Sequence, residues 1–487
     1  MNRRSFLRHS AALGGLAALG PLHELGRRVA LGQTPLAAEG YGPLVNRGDL
    51  WLPEGFEYQI ISWQGKLMDD GRPTPGIFDG MGAFPDRRTP GSVSRTILIR
   101  NHENREFPGE TRVVTDPSLE YNSQAAGGNT KLIVERRLLP PDPATGKPRY
   151  EFVVVRDFAL LGGTTANCAG GELPFKKWIT CEEVVKRTAN GMKHGYIFEM
   201  DATADAPVPA VPVLAAGRFA HEAAAWRGGI LYLTEDRGIA PDPVLGEVGA
   251  CVYRYLPDRI QRRHTNLAFS RGRLQALRIK HEFHANMHLG REVGKPYRVE
   301  WVNVDEPDHN DDSDGRTDRV RGFTPTRIQA QDRGAAYFDR LEGMWATGSL
   351  SDVRIYFDCT SGGAARLGQV WELDPTAGIL RLLYESTSAE SLRNPDNVVV
   401  VPQTRDIFLC EDGGGPQHIR GLTRQGELYD FARTTANPTE FCGACFDRGG
   451  HTLFVNQQGD RGALPDGPAN FQARTFAIWG PWRRRMR

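Results

Sequence analysis

The sequence has few cysteines and lacks long apolar runs. Its 487 residues include seven cysteines, an odd number that is too small to form a disulfide framework in a chain of this length. Beyond the N-terminus, the apolar runs are far shorter than the ~20 residues that a membrane-spanning helix needs. We therefore expect a large folded core and no stable membrane anchor in the mature chain.

An excess of charge and the common catalytic motifs are also lacking. The 60 basic residues balance 59 acidic residues, and no basic stripe interleaved with aromatics occurs, which argues against nucleic acid as a partner. The chain contains no Gly-x-Ser-x-Gly elbow, no P-loop, no dinucleotide fingerprint and no His-Glu-x-x-His motif. Serine hydrolase, nucleotide-binding and zincin chemistry are therefore unsupported.

The N-terminus carries an export signal. Arg3 and Arg4 form a twin arginine, Phe6-Leu7 follows at the expected offset, and a weakly apolar stretch softened by glycine comes next. This pattern is typical of a Tat signal, which exports proteins that have already folded. We predict a signal peptide and leader over residues 1–38, a mature domain over residues 39–487, the Tat machinery as a partner, and a periplasmic or secreted location.

Short strand-like runs dominate the rest of the chain. Gly 55 and Pro 32 are high counts, as expected where many short strands are joined by tight turns. Several runs recur at a spacing of roughly fifty residues, which is typical of propeller blades. The larger gap between Glu235 and Asp358 indicates an insertion. These features predict an all-β, propeller-like single domain with inserted loops.

Acidic residues follow many of these runs. Adjacent carboxylates repel one another and are costly to desolvate without a counter-charge. If the strand ends converge, bound cations would offset that cost, so we interpret these strands as inner strands with a functional end. The runs with such an end are 97–103, 178–183, 231–236 and 407–412.

Three segments offer chemistry of their own. Cys181-Glu182-Glu183 combines a soft thiol with hard oxygen ligands. Taken alone, the segment favours a half-buried cysteine beside solvated acids, and the other acid clusters are what favour a metal site. Arg340 precedes Glu342 by two residues, so both point to one face of an extended segment and could bind a phosphate or carboxylate, or form a surface salt bridge. Cys442-Gly443-Ala444-Cys445 is a lone CxxC, for which buried thiols or a local disulfide are the default.

Taken together, these segments resemble the PhoX-type alkaline phosphatase family. The matching motifs span most of the mature chain. Beside the twin arginine, they are Asn101-His102-Glu103, Cys181-Glu182-Glu183, Gly195-Tyr196-Ile197-Phe198-Glu199, Phe219-Ala220-His221-Glu222, Thr234-Glu235-Asp236, Tyr253-Arg254-Tyr255, Arg340-Leu341-Glu342-Gly343, Pro395-Asp396-Asn397, Glu411-Asp412-Gly413 and Phe454-Val455-Asn456. The resemblance implies a six-bladed propeller with a polynuclear site of iron and calcium at its axial mouth.

The resemblance also implies roles for single residues. Cys181 matches the iron-binding cysteine of the family, Glu342 a metal-bound glutamate and Arg340 an arginine that contacts phosphate. The remaining metal ligands implied are Glu182, Glu222, Glu235, Asp236, Asp396, Asn397, Glu411 and Asp412. We therefore expect a metal-dependent phosphomonoesterase that acts on a small phosphate ester. The alternatives are an exported propeller that binds a partner or envelope component with structural metals, and another metal-dependent hydrolase such as a lactonase.

Overall fold

A computed structural model describes residues 39–86, 94–258, 266–310, 324–349, 352–460 and 471–483. The predicted signal peptide and leader, 1–38, lie outside these ranges. The described residues form 30 β-strands, one α-helix, α1 (Thr326–Asp332), and two short 3-10 turns, Leu214–Ala216 and Leu267–Phe269. Among them, no helix has the length and apolar character needed to cross a membrane.

The strands follow one another through most of the chain. In the first half they are β1 (Leu44–Asn46), β2 (Leu50–Pro53), β3 (Glu57–Trp63), β4 (Phe78–Pro85), β5 (Ser94–His102), β6 (Gly127–Leu139), β7 (Arg149–Thr164), β8 (Asn167–Leu173), β9 (Lys177–Glu182), β10 (Lys186–Arg187), β11 (Lys193–His194), β12 (Ile197–Asp201), β13 (His221–Arg227), β14 (Ile230–Glu235), β15 (Ala240–Asp242) and β16 (Gly246–Val248). In the second half they are β17 (Tyr253–Pro257), β18 (Gly272–Ile279), β19 (Pro296–Val304), β20 (Leu341–Thr347), β21 (Arg354–Cys359), β22 (Gln369–Asp374), β23 (Ile379–Glu385), β24 (Pro395–Val400), β25 (Ile407–Glu411), β26 (His418–Leu422), β27 (Leu428–Thr434), β28 (Phe441–Phe446), β29 (Thr452–Gln457) and β30 (Arg474–Trp479).

The strands pair antiparallel into consecutive sheets. The larger sheets have the orders β4-β5-β6-β7, β12-β9-β8, β13-β14-β17-β18-β19-β23-β22-β21-β20, β1-β2-β27-β26-β25-β24 and β28-β29-β30-β3. Two further sheets have only two strands each, β10-β11 and β15-β16, among the described residues. Because β3 pairs with β30, the last sheet is completed by a strand from near the start of the described chain.

Six strands lie innermost and contact one another in a closed ring, in the order β4, β8, β13, β20, β24 and β28. The prediction of an all-β, propeller-like fold is confirmed. The number of blades stays a prediction, because one continuous sheet of nine strands contains both β13 and β20. The interpretation of the acid-ending strands as inner strands is wrong: β5, β9, β14 and β25 are each the second strand of a sheet, hydrogen-bonded outside an innermost one.

Small residues allow the innermost strands to approach closely. A Cβ at Gly171 would lie 1.9 Å from the carbonyl oxygen of Ala224, and one at Gly80 would lie 2.6 Å from Cα of Ala169. Both contacts join neighbouring innermost strands through the backbone, so neither can relax by a rotamer change. Glycine at these positions therefore lets the ring close around a narrow axis.

The core fills the space between neighbouring sheets. One apolar cluster contains Phe338, Phe357 and Trp371, and another contains Phe408 and Phe431. In the second cluster, the two phenylalanine rings stack with their centroids 4.5 Å apart. This packing fixes the sheets around the axis and holds the ends of the innermost strands at one mouth.

Candidate functional site

Each innermost strand begins at the same mouth of the ring. In all six cases, the first residue of the innermost strand is the partner of the last residue of the second strand: Phe78 with His102, Asn167 with Glu182, His221 with Glu235, Leu341 with Cys359, Pro395 with Glu411, and Phe441 with Gln457. A register irregularity follows each of these pairs. Such bulges re-aim side chains at the rim of a closed sheet.

The second residue of every innermost strand carries a carboxylate or a thiol. These inner-ring residues are Asp79, Cys168, Glu222, Glu342, Asp396 and Cys442. All six are buried. The closed order of the innermost strands places Asp79 between the two cysteines, and the three other acids side by side. Side chains far apart in the sequence therefore meet at one mouth.

A second set of side chains lies just outside the inner ring. These outer-ring residues follow the second strands directly and are Glu103, Glu183, Asp236, Asp412 and Gln458. Glu440, one residue before β28, joins them. Gln458 Nε2 donates to Asp79 Oδ2 at 3.3 Å and to Glu103 Oε2 at 3.0 Å, so the two sets are in contact.

Members of both sets line a cavity of about 430 Å³: Cys168, Glu342 and Asp396 of the inner ring, and Glu103, Glu183, Asp412, Glu440 and Gln458 of the outer ring. Seven carboxylates, one thiol and two guanidinium groups face it, so acidic groups far outnumber basic ones. The charged residues and the thiol are Glu103, Arg105, Cys168, Glu183, Arg340, Glu342, Asp396, Asp412, Glu440 and Asp460.

Among the described residues, three groups of side chains have the spacing of metal ligands. Within each group, one ligand atom per residue lies within 4.8 Å of the others. The groups are Cys168–Glu183–Glu222, Asp396–Asp412–Glu440 and Asp79–Glu440–Cys442. Glu440 belongs to two of them, so the groups adjoin one another.

Several of these buried carboxylates lack hydrogen-bond donors. Neither oxygen of Glu222, nor Oδ1 of Asp79, has a partner in ordinary geometry among the described residues. Burial, together with neighbouring carboxylates, raises the pKa of Glu222 and of Asp79 well above the usual range. Burial likewise raises the pKa of Glu183, to about 8. Unpartnered buried carboxylates are costly, and cations would compensate them, so the donor set fits bound metal ions.

Two arginines partly offset this charge. Arg340 donates from Nε and Nη2 to the two oxygens of Asp236 at 2.9 and 2.8 Å, and Nη2 lies 2.8 Å from Glu342 Oε1. Its backbone is left-handed, with φ of 54°, just before β20 begins. Arg105 contacts Glu103 at 2.6 Å and also pairs with Glu183. Both guanidinium side chains remain partly exposed, at 26% for Arg105 and 38% for Arg340.

The structure brings together only some of the side chains that the sequence nominated. Those that lie at the mouth are Arg340, Glu222, Asp236, Glu342, Asp396 and Asp412. Their roles as ligands or substrate contacts stay predictions.

Cys181 lies elsewhere, which corrects its proposed position. Its side chain is fully buried in an apolar cluster with Ile179, Ile197 and Leu233. The thiol that faces the cavity is Cys168, thirteen residues earlier on β8. Both cysteines follow a polar or β-branched residue in a buried strand, and only the position of the strand in the sheet distinguishes them.

Glu182 is fully engaged by protein donors. It accepts hydrogen bonds from His194 Nδ1 at 2.6 Å and from the backbone N–H groups of Thr165, Gly195 and Tyr196 at 3.1, 2.8 and 3.1 Å. These four hydrogen bonds occupy both carboxylate oxygens and anchor the loops around β9, which leaves no oxygen of Glu182 available to a cation.

Glu235, Glu411 and Asn397 also have structural partners. Glu235 accepts from Tyr253 Oη at 2.9 Å and from the Cys251 N–H at 3.1 Å. Asn397 Oδ1 accepts from the Ala444 N–H at 3.1 Å. These contacts lie between strands rather than at the cavity.

Glu411 differs from the cavity acids in its electrostatics. It accepts from Arg420 Nε at 2.9 Å, His418 Nδ1 at 3.1 Å and the Arg393 N–H at 3.0 Å. Burial alone would raise its pKa, but the attraction of Arg420 and His418 outweighs burial, and its pKa lies below the usual range. Glu411 is thus stable as an anion without a metal.

Seven further residues of the site were given no role by the sequence. They are Asp79, Glu103, Arg105, Cys168, Glu183, Glu440 and Cys442. Glu103 and Glu183 stood in motifs that were recognised, but without a role of their own. What could have identified Glu103 and Glu183 in the sequence is their common position, one residue beyond the end of a predicted strand.

Comparison with known proteins bears on this geometry. The sequence model of the alkaline phosphatase PhoX family matches residues 39–460. Among solved structures, PhoX from Pseudomonas fluorescens in complex with vanadate, a transition state analogue, is similar in fold, with a TM-score of 0.61, 17% sequence identity, and coverage of 92% of this chain and 97% of that chain. A putative 6-phosphogluconolactonase from Bacteroides uniformis has a TM-score of 0.30 at 9% identity, covering 73% of this chain and 94% of that chain. No curated protein matches the sequence.

Proposed function

The chain belongs to the alkaline phosphatase PhoX family, which confirms the resemblance seen in the sequence, and we propose that it is an exported, metal-dependent phosphomonoesterase with a polynuclear centre at the mouth of the innermost strands. The observation that supports this most is the convergence of buried carboxylates and thiols there without enough protein donors or cations to balance them. Family membership makes a phosphate ester the expected substrate.

The chemistry of the donors suggests which ion each group would hold. Cys168, Glu183 and Glu222 combine a thiol with two carboxylates, a set that suits iron. Asp396, Asp412 and Glu440 offer oxygen alone, which suits calcium. This assignment keeps the predicted iron and calcium but replaces Cys181 by Cys168.

Bound cations would neutralise the carboxylates, lower the pKa of a bound water, and offset charge that develops on the phosphoryl group. The protein itself supplies orientation. Arg340 lines the cavity, where its Nε–Nη2 edge is held by Asp236 and Glu342, and we expect its guanidinium to contact a phosphoryl oxygen through N–H groups outside that edge. Arg105 lines the same cavity with a guanidinium that is held by Glu103 and Glu183. A protein nucleophile is not required.

Export through the Tat pathway fits a centre of this kind. Its proposed ligands lie on or beside strands that extend from β8 to β28, so the centre exists only in the folded chain. The twin arginine at Arg3 and Arg4 would carry such a folded protein, with its ions, to the periplasm or beyond.

Metal analysis combined with turnover tests the proposal. Protein purified from the exporting compartment is expected to contain iron and calcium and to release phosphate from an artificial monoester. Glu222→Gln, which keeps size and removes charge, should lose bound metal and reduce turnover by about 100-fold or more. Glu247→Gln is the matched control, because Glu247 contacts Tyr337 and His288 away from the cavity.

Other outcomes would contradict the proposal. Metal without turnover of any ester would favour the non-catalytic exported propeller. Opening of lactones without release of phosphate would favour a lactonase. Full turnover after removal of iron and calcium by chelation would show that neither ion is needed.

A further inference from the structure

The two cysteines of the CxxC motif occupy different environments. Cys445 lies in an apolar cluster with Phe152, Phe454 and Trp479. Cys442 belongs to the inner ring, and its thiol donates to the carbonyl oxygen of Phe78 at 3.0 Å. Both are free thiols. A register irregularity between them separates their surroundings. The motif is therefore neither a local disulfide nor a two-cysteine metal clamp.

Cys442 has acidic companions of its own. Its Sγ lies within 4.8 Å of a carboxylate oxygen of Asp79 and of Glu440, and those two oxygens are equally close to each other. Asp79 is 1% exposed, and its Oδ1 has no hydrogen-bond partner among the described residues. A buried carboxylate with one unpartnered oxygen, beside a thiol and a second acid, is costly as an anion, and a bound cation would compensate that cost.

Asp79 also faces the other cysteine of the inner ring. Cys168 Sγ lies 3.5 Å from Asp79 Oδ2. The Asp79 carboxylate therefore lies close to both thiols, and its Oδ1 has no hydrogen-bond partner among the described residues. An aspartate in this position can bridge two neighbouring metal ions, one for each thiol.

We propose that Cys442, Asp79 and Glu440 form a second thiolate site for a transition metal, adjacent to the Cys168 site and joined to it through Asp79. The inference rests on the proposed function only in that the mouth binds cations. When a metal ion binds, the Cys442 S–H proton leaves to solvent, the hydrogen bond to Phe78 breaks, and a metal–sulfur bond forms. A thiolate favours iron, cobalt or zinc over calcium, so this position is not a calcium site.

Cobalt(II) is a suitable probe because its bond to a thiolate gives a charge-transfer absorption band. Chelated full-length protein would be titrated with cobalt(II) while absorption and bound cobalt are measured. In the unaltered protein, the band is expected to grow through two equivalents. Cys442→Ser should bind one cobalt fewer and show about half the band. Cys445→Ser, the matched control, should behave like the unaltered protein.

A band that saturates at one equivalent in the unaltered protein would overturn the proposal without any variant. Unchanged cobalt content and absorption in Cys442→Ser would overturn it as well. Asp79→Asn provides an independent variant, which should weaken cobalt binding at both thiols because the shared carboxylate is lost. If the unaltered protein shows two thiolate-bound cobalt ions but the native-metal form hydrolyses no ester, the proposed function fails and this site stands.

Discussion

Neighbouring acids at the end of the same strand have opposite roles in this protein. Glu182, the last residue of β9, is enclosed by protein donors, whereas Glu183 lines the cavity. Glu411 and Asp412 differ in the same way. In the third pair, Glu235 is bound by Tyr253 within the sheet, and Asp236 is bound by Arg340 at the mouth. Successive side chains of an extended chain point in opposite directions, so one member of each pair enters the sheet packing and the other reaches the axis. In such a pair, one acid stabilises the sheet packing and the other is a candidate metal ligand.

The substitution Glu183→Gln addresses the candidate ligand and has the largest expected effect. Loss of one carboxylate from the Cys168–Glu183–Glu222 group should remove bound iron and lower turnover by about 100-fold or more. The metal-free protein should keep its thermal stability, because glutamine spares the cost of a buried charge. Metal content, turnover and thermal unfolding of chelated samples would be measured together. Retained iron would contradict the assignment of Glu183.

The substitution Glu182→Gln tests the acid that packs within the sheet. The amide group would meet backbone N–H groups that now donate to a carboxylate, and breaking such a buried charged network costs about 3–5 kcal/mol. Denaturant unfolding should show a lower midpoint, while any folded protein should still contain iron. Loss of metal at unchanged stability would mean that Glu182, rather than Glu183, faces the ion.

Arg105→Gln should have a smaller effect that concerns the substrate. If Arg105 orients the phosphoryl group, its loss should raise KM and weaken inhibition by inorganic phosphate by about tenfold, with metal content unchanged. Arg112→Gln is a matched control, because Arg112 pairs with Glu120 and donates to the Ala125 carbonyl oxygen in the same loop. Equal KM values for the two variants would exclude a substrate contact for Arg105.

The pH dependence of stability gives the smallest effect. Glu183 has a pKa of about 8 when folded and about 4.3 when unfolded, so the folded chain binds the extra proton between these values. Metal-free protein should therefore lose about a few degrees in Tm as pH rises from about 4.3 to about 8. Glu411 acts in reverse: its pKa is lowered, so its contribution is present above about 4.3 and is lost as pH falls below that value.

Bound cations should oppose the loss of stability that Glu183 causes as pH rises. They replace protons at the cavity, so the metal-loaded protein should gain stability over metal-free protein as pH rises toward 8. Thermal unfolding of loaded and chelated samples across this range would measure the difference. Parallel curves would show that Glu183 does not titrate against a cation.

The all-β, propeller-like fold followed from the rhythm of the apolar runs, because strand length and turn residues are local properties. The identity of the innermost strands did not follow. Those strands contain Gly80, Gly170 and Gly171, since the crowded axis admits little else, and glycine weakens the sequence pattern of a strand. The second strands, which end in acids, have the stronger strand pattern, so the pattern alone wrongly favours them as the innermost strands.

The site was predictable as a cluster of acids but not residue by residue. A shift of one position moves a side chain from the cavity to the packing between sheets, and neither composition nor spacing fixes that parity. Cys168 and Cys181 illustrate the limit: both lie in buried strands, and only the pairing of β8 inside β9 places the first at the axis and the second in the core.

The pairing of β3 with β30 has a consequence for folding during synthesis. Glu57–Trp63 must wait for Arg474–Trp479 before the last sheet is complete, although more than four hundred residues are synthesised in between. The innermost strand of this last sheet, β28, also contacts β4 of the first sheet, and there Cys442 meets Asp79. During translation the early sheets can already pack, but the seam stays open until the ribosome has released the final strand.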